Sequence, residues 1–280
     1  MQKTSPLLRL GIIADPQYAA LPPDARMDRH YANSLTKLRA AIHAFNLEDL
    51  DRVVVLGDLI DRGFEHFAPA LETFAASRHP VIFLPGNHDF AVKPEQRSMV
   101  QAALDMPAPY YDVVVNGVRL IITDCCEIST FAPPPGDARL KEAESLLAAL
   151  KEKGAINAHD WNAGMSASQI AWLKSRLALA EQHGEKAIVL GHYPLHPFSD
   201  HALWDAQTVA EIISSSPAAL AYLSGHDHRG NYGKLGHTHF INFKGMVDTE
   251  RDNAYATLKL MPDTLIIEGS GRQESYTLAI

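Results

Sequence analysis

Val53-Val54-Val55-Leu56-Gly57-Asp58-Leu59-Ile60-Asp61 is a short β-branched run that stops at a glycine and then delivers two carboxylates three residues apart. A run of this length and composition reads as a buried strand, and the glycine after it permits a sharp turn. The same pattern recurs at Pro80 to Leu84, followed by Gly86-Asn87-His88-Asp89, and at Leu7 to Ala14, followed by Asp15-Pro16-Gln17. Amphipathic stretches separate the runs. Arg29 to Phe45 sets Tyr31, Leu35, Leu38, Ile42 and Phe45 at helical spacing, and Glu65 to Ala76 forms a second such segment. Strand, helix, strand, helix, strand implies a parallel sheet and an α/β fold.

Downstream, Tyr110 to Val115 and Val118 to Thr123 flank Asn116-Gly117, the strongest short-range hairpin signal. Residues 127–165 hold a Pro133-Pro134-Pro135 run, a polar helix from Arg139 to Lys153, and Trp161-Asn162-Ala163-Gly164, and read as an insertion placed to cover a site. Ser166 caps a helix reaching Gln182, before a strand at Lys186 to Leu190. Ala202 to Ser214 reads as helix and Ala218 to Leu223 as strand. The remainder, through Phe240 to Phe243, Tyr255 to Leu260 and Thr264 to Ile267, reads as antiparallel β. With no repeat and no linker composition, 1–280 is expected to be a single domain.

Composition narrows the function. A chain of 280 residues, 46% hydrophobic, buries enough surface to need no metal merely to fold, so a metal site here points to chemistry. Thirty-three acidic against 25 basic side chains, a formal charge of −8, argue against nucleic acid bound along a cationic groove. The apolar stretch Leu10 to Ala14 is far below the ~18 residues of a membrane span. Cys125 and Cys126 are adjacent, where a bridge would be strained, which suits a reducing compartment and predicts a cytoplasmic protein. Oligomeric state is not readable.

Five strand-end loops carry a carboxylate, amide or imidazole: Asp15-Pro16-Gln17, Gly57 to Asp61, Gly86 to Asp89, Gly191-His192-Tyr193-Pro194, and Gly225-His226-Asp227-His228. Taken singly, each has a bland explanation as a turn or a helix cap. In a mainly parallel sheet, however, such loops collect at the carboxyl edge, where α/β sites form. The donor set mixes oxygen and nitrogen without thiolate, which suits Mn, Fe or Zn in a catalytic setting. A second Gly-His-x-His, Gly236 to His239, precedes its strand instead of following one; His237 is expected on the surface or in a hairpin, with His239 free to approach the site.

Taken in order, these loops resemble the calcineurin-like metallophosphoesterases, whose signature runs D-x-H, GD-x-x-D, GNH-D/E, a GH-x-P-like element and GH-x-H. The resemblance extends from Ile12 to about Arg272. It implies a double β-sandwich flanked by helices (α/β/β/α layers) with two divalent ions at its edge. Asp15, Gln17, Asp58 and His228 would hold one ion, and Asp58, Asn87, His192 and His226 the other, with Asp58 bridging and His88 as the catalytic, non-ligating histidine. Asp61 or Asp89 could orient His88. Hydrolysis would proceed through metal-activated hydroxide.

The first motif departs from the superfamily by placing Gln17 where most members have histidine. An amide oxygen is a harder donor, favouring Mn over Zn or Fe. With Trp161 to Gly164, the Ser-x-x-Gln-x-x-Trp-Leu that follows, and Gly269-x-Gly271-Arg272, this resembles the manganese-dependent ADP-ribose/CDP-alcohol diphosphatase branch. Ala163 departs from a glycine expected in many members. The resemblance implies a small-molecule nucleotide diphosphate substrate. Tyr18, Trp161 and Tyr193 are candidates to contact a base, Phe198 lies nearby, Asn162 is a candidate for phosphate or ribose, and Arg62 reads as a free cation. The alternatives are a phosphodiesterase for cyclic nucleotides or glycerophosphodiesters on the same scaffold, and, further off, a non-catalytic metal-binding interaction scaffold.

Overall fold

The computed structural model describes residues 5–280 and shows two six-stranded sheets packed face to face. The first sheet begins with β1 (Leu8–Ile13), β2 (Arg52–Leu56) and β3 (Val81–Leu84), which run parallel. Between them come α1 (Ser34–Asn46) and α2 (Phe67–Phe74), shorter than the periodicity predicts because each begins with a 3₁₀ turn. After the short α3 (Val100–Ala103), the hairpin β4 (Tyr111–Val115) and β5 (Val118–Ile122) opens the second sheet. Asn116 and Gly117 take φ of 51° and 78°, as a tight two-residue hairpin turn requires.

Next come α4 (Ala138–Glu152), α5 (Ala167–His183), β6 (Lys186–Leu190), α6 (Ala206–Ser214) and β7 (Ala219–Ser224). Ser166 caps α5 by accepting from the Gln169 amide at 3.1 Å. α6 starts four residues later than expected, because neighbouring loops take the amides before it: Leu203 donates to Pro194 O and Trp204 to Ala163 O.

The C-terminal part departs from the antiparallel expectation. β8 (Asn231–Leu235) is a polar edge strand missed by its composition, and it forms a hairpin with β9 (Thr238–Asn242). β9 itself runs parallel to β7. β8 and β9 pair antiparallel as expected, and so do β10 (Ala254–Leu260), β11 (Thr264–Gly271) and β12 (Tyr276–Ala279), which join the first sheet beside β1. The sheet orders are β12-β11-β10-β1-β2-β3 and β4-β5-β6-β7-β9-β8.

Alternation along the strands builds the layers. Leu10, Ile12, Val54, Leu56, Ile82 and Leu84 face Leu120, Ile122, Ile188, Leu190 and Leu223 between the sheets. The residues of opposite parity, Ile13, Val53, Val55, Val189 and Tyr222, face outward onto the helices, against Leu38, Phe45, Leu173, Val209 and Ile213. This is the expected α/β/β/α sandwich, and its parallel strands from both sheets end at one edge. Among the described residues, no helix is long and apolar enough to cross a membrane.

Candidate metal centre

At that edge the loops are zipped together by backbone bonds from one sheet to the other. Met246 N donates to Ala14 O at 2.9 Å and Val247 N to Asp15 O at 3.1 Å. Within the first sheet, Gln17 N donates to Asp58 O at 2.8 Å. Asp15, Gln17, Asp58 and His226 stand at φ of 48°, 45°, 52° and 71°. That conformation costs an L-residue roughly 1–2 kcal/mol and persists only where the surroundings enforce it, which is typical of functional sites.

The donor atoms fall into two groups sharing Asp58. In the first, ligand atoms of Asp58, His192 and His226 lie within 4.8 Å of one another, an arrangement that could hold a metal ion. His192 Nδ1 donates to Leu56 O at 2.9 Å, and its Nε2 sits 3.2 Å from Asn87 Oδ1 and 3.5 Å from Asp58 Oδ2. A neutral ring there would aim three acceptors at one point, which a cation satisfies. Burial opposes charge on His192, but Asp58 outweighs it and pushes the imidazole up to about 9. In the same balance burial would raise the Asp58 carboxyl, yet His192 and His88 hold it well below the usual range.

In the second group Gln17 Nε2 lies 3.1 Å from Asp58 Oδ2 and 3.0 Å from His228 Nε2, while His228 Nε2 is 3.8 Å from Asp15 Oδ1. Gln17 Oε1 is buried without a partner. Turning the amide over would present that oxygen to the same two acceptors, again an arrangement that calls for a cation. Asp15 is fully buried and accepts from His226 N through both oxygens at 3.0 Å. Burial, resisted by His228, pushes its carboxyl up to about 6. The residues thus fit two cations on oxygen and nitrogen donors.

Each imidazole is oriented by a partner on its other nitrogen, as metal-ligating histidines characteristically are. Leu56 O orients His192, and Asp248 Oδ1, 2.8 Å from Nδ1, orients His228. For His226 the partner is Asn162, whose Oδ1 is 3.2 Å from Nε2. The Asn162 amide is fixed, because its Nδ2 faces two carbonyls, Asn157 O at 3.0 Å and Asp200 O at 2.7 Å. The oxygen end must therefore meet His226, so Nε2 carries the proton and Nδ1 the free electron pair. Burial, reinforced by His192, holds His226 well below its ordinary value and keeps it neutral.

His88 lies beside both groups. Its Nδ1 is 2.8 Å from Asp61 Oδ1, and its amide donates to Asp58 Oδ1 at 2.8 Å. Burial lowers its pKa, but Asp58 and Asp61 outweigh that and raise it overall. Asp61 is therefore the orienting residue, its carbonyl oxygen accepting from Nδ1 at 3.3 Å with the carboxylate alongside as the ion-pair partner. Asp89 instead braces the loops, accepting from Ile60 N at 3.0 Å and Gly86 N at 2.9 Å, with its carboxyl pushed up to about 7 by burial and by Asp58.

A cleft of about 320 Å³ opens over this cluster, lined by Gln17, Asp58, Asn87, His88, His226, His228, Met27, Arg29, Trp161 and His201. Trp161 is 42% exposed there, stacked on His159 at 4.0 Å. The other substrate-contact candidates occupy different places. Tyr18 is buried, its ring edge-on to His66, because its strand-like bridge to Ile60 turns it into the core. Tyr193 is wholly buried, donating to Trp161 O at 2.7 Å with its ring against His226. Asn162 is equally buried and serves His226. Arg62 is ion-paired with its neighbour Asp61 and lies over the Tyr31 ring.

Of the second Gly-His-x-His, His237 is exposed in the β8–β9 turn and His239 hydrogen-bonds Tyr232 and Ala279 O, away from the cluster. Residues 127–165 contribute Trp161 to the cleft wall, bolted down where Trp204 Nε1 donates to His159 O at 3.1 Å and Asn157 Nδ2 to Leu203 O at 2.8 Å. Sequence reasoning missed Asp248 and Arg29. A signal for Asp248 existed: Gly245 to Asp248 follows an apolar strand, and β9, running parallel to β7, ends at the site edge.

A two-sheet sandwich that gathers oxygen and nitrogen donors at the carboxyl edge of its parallel strands is the setting of a metal-dependent phosphohydrolase. A sequence model of the calcineurin-like phosphoesterase family matches residues 8–230, and the chain belongs to that family. It is related to the manganese-dependent ADP-ribose/CDP-alcohol diphosphatases. It is 25% identical over 314 residues to the enzyme of that name from Mus musculus, covering 96% of this chain and 92% of the relative. It is 29% identical over 267 residues to that from Arabidopsis thaliana, covering 81% and 82%. A dimetal phosphatase from Danio rerio shares the fold at TM-score 0.85 and 23% identity, over 98% of this chain and 99% of that one. So does GAP50, the anchor in the inner membrane complex of Plasmodium, at TM-score 0.60 and 13% identity over 98% and 89%.

Proposed function

We propose that this chain hydrolyses the diphosphate linkage of nucleotide conjugates such as ADP-ribose or CDP-alcohols. The observation that carries the proposal is Gln17, an amide among the donors with its oxygen buried and unpartnered, in a chain whose named relatives are manganese-dependent diphosphatases. Asp15, Gln17, Asp58 and His228 would hold one divalent ion, and Asp58, Asn87, His192 and His226 the other, with Mn favoured over Fe or Zn by the hard donor set. Such a pair, when bound, supplies the positive charge that polarises a phosphoryl group and brings the pKa of water towards neutrality.

The chain's own groups do the rest. His88, held through Nδ1 by Asp61, lines the cleft, where its other ring nitrogen would donate to the oxygen leaving phosphorus. A phosphate monoester leaves more readily than an alkoxide, so a diphosphate demands little of this acid. Trp161 offers a flat face for a base, pre-set by its stack on His159. Two buried, unpaired cysteines suit a reducing compartment such as the cytoplasm.

The test is product analysis. Metal-stripped protein re-supplied with Mn²⁺ is offered ADP-ribose, CDP-choline, 3′,5′-cyclic AMP and bis-p-nitrophenyl phosphate. Release of AMP and CMP from the first two, well above turnover of the others, is the expected result. Turnover of the cyclic nucleotide or the diester alone would replace the substrate class with that of a phosphodiesterase, and no turnover of any of them would return the fold to a scaffold role.

A further inference from the structure

A diphosphate substrate carries two ionised phosphates, of which the donor clusters would meet the one under attack. The second needs a cation supplied by the chain. The cationic side chains around the cleft are mostly committed. Arg62 is paired with Asp61, Arg229 with Asp227 at 2.8 Å, and His201 with Asp200 at 3.0 Å. Arg29 differs. It lines the metal cleft beside Gln17, His88 and His228, and also the adjoining recess of about 290 Å³ shared with His201 and Asp248. Among the described residues its guanidinium has no hydrogen bond or ion pair, while the carboxylates around it are engaged elsewhere: Asp28 with His30 and Asp248 with His228.

Its backbone, by contrast, is fixed. Arg29 N donates to Asp24 O at 3.1 Å and Asp24 N to Arg29 O at 2.9 Å, closing a short loop whose turn is held by Asp24 Oδ1 on the amides of Arg26 and Met27. On its other side His30 N donates to Val247 O at 3.0 Å, tying the loop to the segment that carries Asp248. A side chain on a rigid base, with a planar set of donors and no partner in the protein, matches a phosphate bidentately.

We infer that Arg29 binds the phosphate of the substrate that is not attacked, and that it is the residue by which this cleft prefers a two-phosphate linkage to a single phosphate ester. The inference rests on the diphosphatase reading above. Arg29 lines both the cleft over the donor clusters and the adjoining recess, so a diphosphate placed on the clusters can extend its second phosphate towards it. An ester with one phosphate has nothing to put there.

The experiment compares wild type with Arg29→Ala and Arg29→Lys, all Mn²⁺-loaded, on ADP-ribose and on bis-p-nitrophenyl phosphate. The readout is the quotient of the two kcat/KM values. It is expected to fall about 10- to 100-fold in Arg29→Ala, and by less in Arg29→Lys, which keeps the charge but loses the bidentate geometry. A quotient that moves less than twofold, whether both activities fall together or neither falls, overturns the inference.

A second readout is binding, by calorimetry, of α,β-methylene-ADP and of AMP to the same metal-loaded proteins. Wild type is expected to prefer the two-phosphate ligand, and Arg29→Ala to lose that preference. If wild type fails to hydrolyse ADP-ribose, the diphosphatase reading falls, and the binding comparison still decides Arg29. A preference for methylene-ADP that survives in Arg29→Ala overturns the inference whatever the activity shows.

Discussion

Asn162 makes no contact that a substrate could use, yet its substitution should weaken metal binding. Its side chain is wholly buried and has three partners: two carbonyls on Nδ2 and the His226 ring on Oδ1. Asn162→Ala removes all three bonds, and at about 1 kcal/mol each the metal-free protein should lose about 3 kcal/mol in urea unfolding. Without the amide oxygen, His226 is free to rotate or change tautomer, and loss of such an orienting partner typically costs 10- to 100-fold in metal affinity. Asn162→Asp separates the two effects, since it keeps an acceptor for His226 Nε2 but loses both donors; it should be destabilised like the alanine variant while holding Mn²⁺ far better. The assay is calorimetric titration of metal-stripped protein with Mn²⁺, run also on His226→Ala and on the double variant. If Asn162 acts through His226, alanine at 162 changes nothing further in the His226→Ala background, and the coupling equals the whole single-variant effect. The reasoning fails if Asn162→Ala binds Mn²⁺ within twofold of wild type, or if its loss is as large when His226 is already gone.

Gln17→His replaces the amide with an imidazole and should shift activation of stripped protein from Mn²⁺ towards Zn²⁺ or Fe; an unchanged metal profile would show that Gln17 is not a ligand. Gly86→Ala should lower Mn²⁺ affinity at least 100-fold by titration, because a Cβ there falls inside contact distance of Asp58 Oδ1 and His192 Nε2, neither of which is free to give way; near-normal binding would show that the cluster can loosen to admit the methyl group. Asp124, buried and beside Glu127, has its carboxyl pushed up to about 7. The fold then binds this proton more tightly than the unfolded chain does between about pH 4 and 7, so wild-type stability should fall through that window and level off above it. Relative to Asp124→Asn, with Gln101 turning its amide to match, the fall should be on the order of 4 kcal/mol by urea unfolding, and a pH-independent difference would refute it.

What was legible in the chain was what depends on neighbours along it. The short apolar runs Val53 to Leu56 and Lys186 to Leu190 gave the strands, Asn116-Gly117 the hairpin, and the strand-end donors the clusters around Asp58. What was not legible depends on partners far away in sequence. The direction of β9 is set by pairing with β7 across the β8 excursion, and because it is parallel, Asp248 arrives at the site edge rather than the opposite one. Tyr193 and Asn162 belong to apt loops, yet each turns inward because its polar atoms find Trp161 O and His226. Arg62 and Arg29 read alike as loop arginines. Only the fold shows that Asp61 takes up the first and that nothing among the described residues takes up the second.

The distribution of strain and charge explains why these loops hold their shape. Positive φ at Asp15, Gln17, Asp58 and His226 and three fully or nearly fully buried carboxylates, Asp15, Asp58 and Asp89, would each destabilise a fold taken singly. They are tolerated because the backbone around them is held at both ends of each loop: by the continuing β1–β2 ladder below, by the cross-sheet bonds from Met246 and Val247, and by amides of Gly86, His88, Ile60 and His226 that turn onto the carboxylates. The same amides that stabilise the negative charge also fix its direction. Asp89 uses both oxygens in this bracing, while the carboxylates and imidazoles of the two donor groups each have one side secured by the protein and converge on Asp58. Such a surface needs little more than the turn of the Gln17 amide to receive cations, and His88, Trp161 and Arg29 line the cleft over it, where a phosphate ester would have to lie.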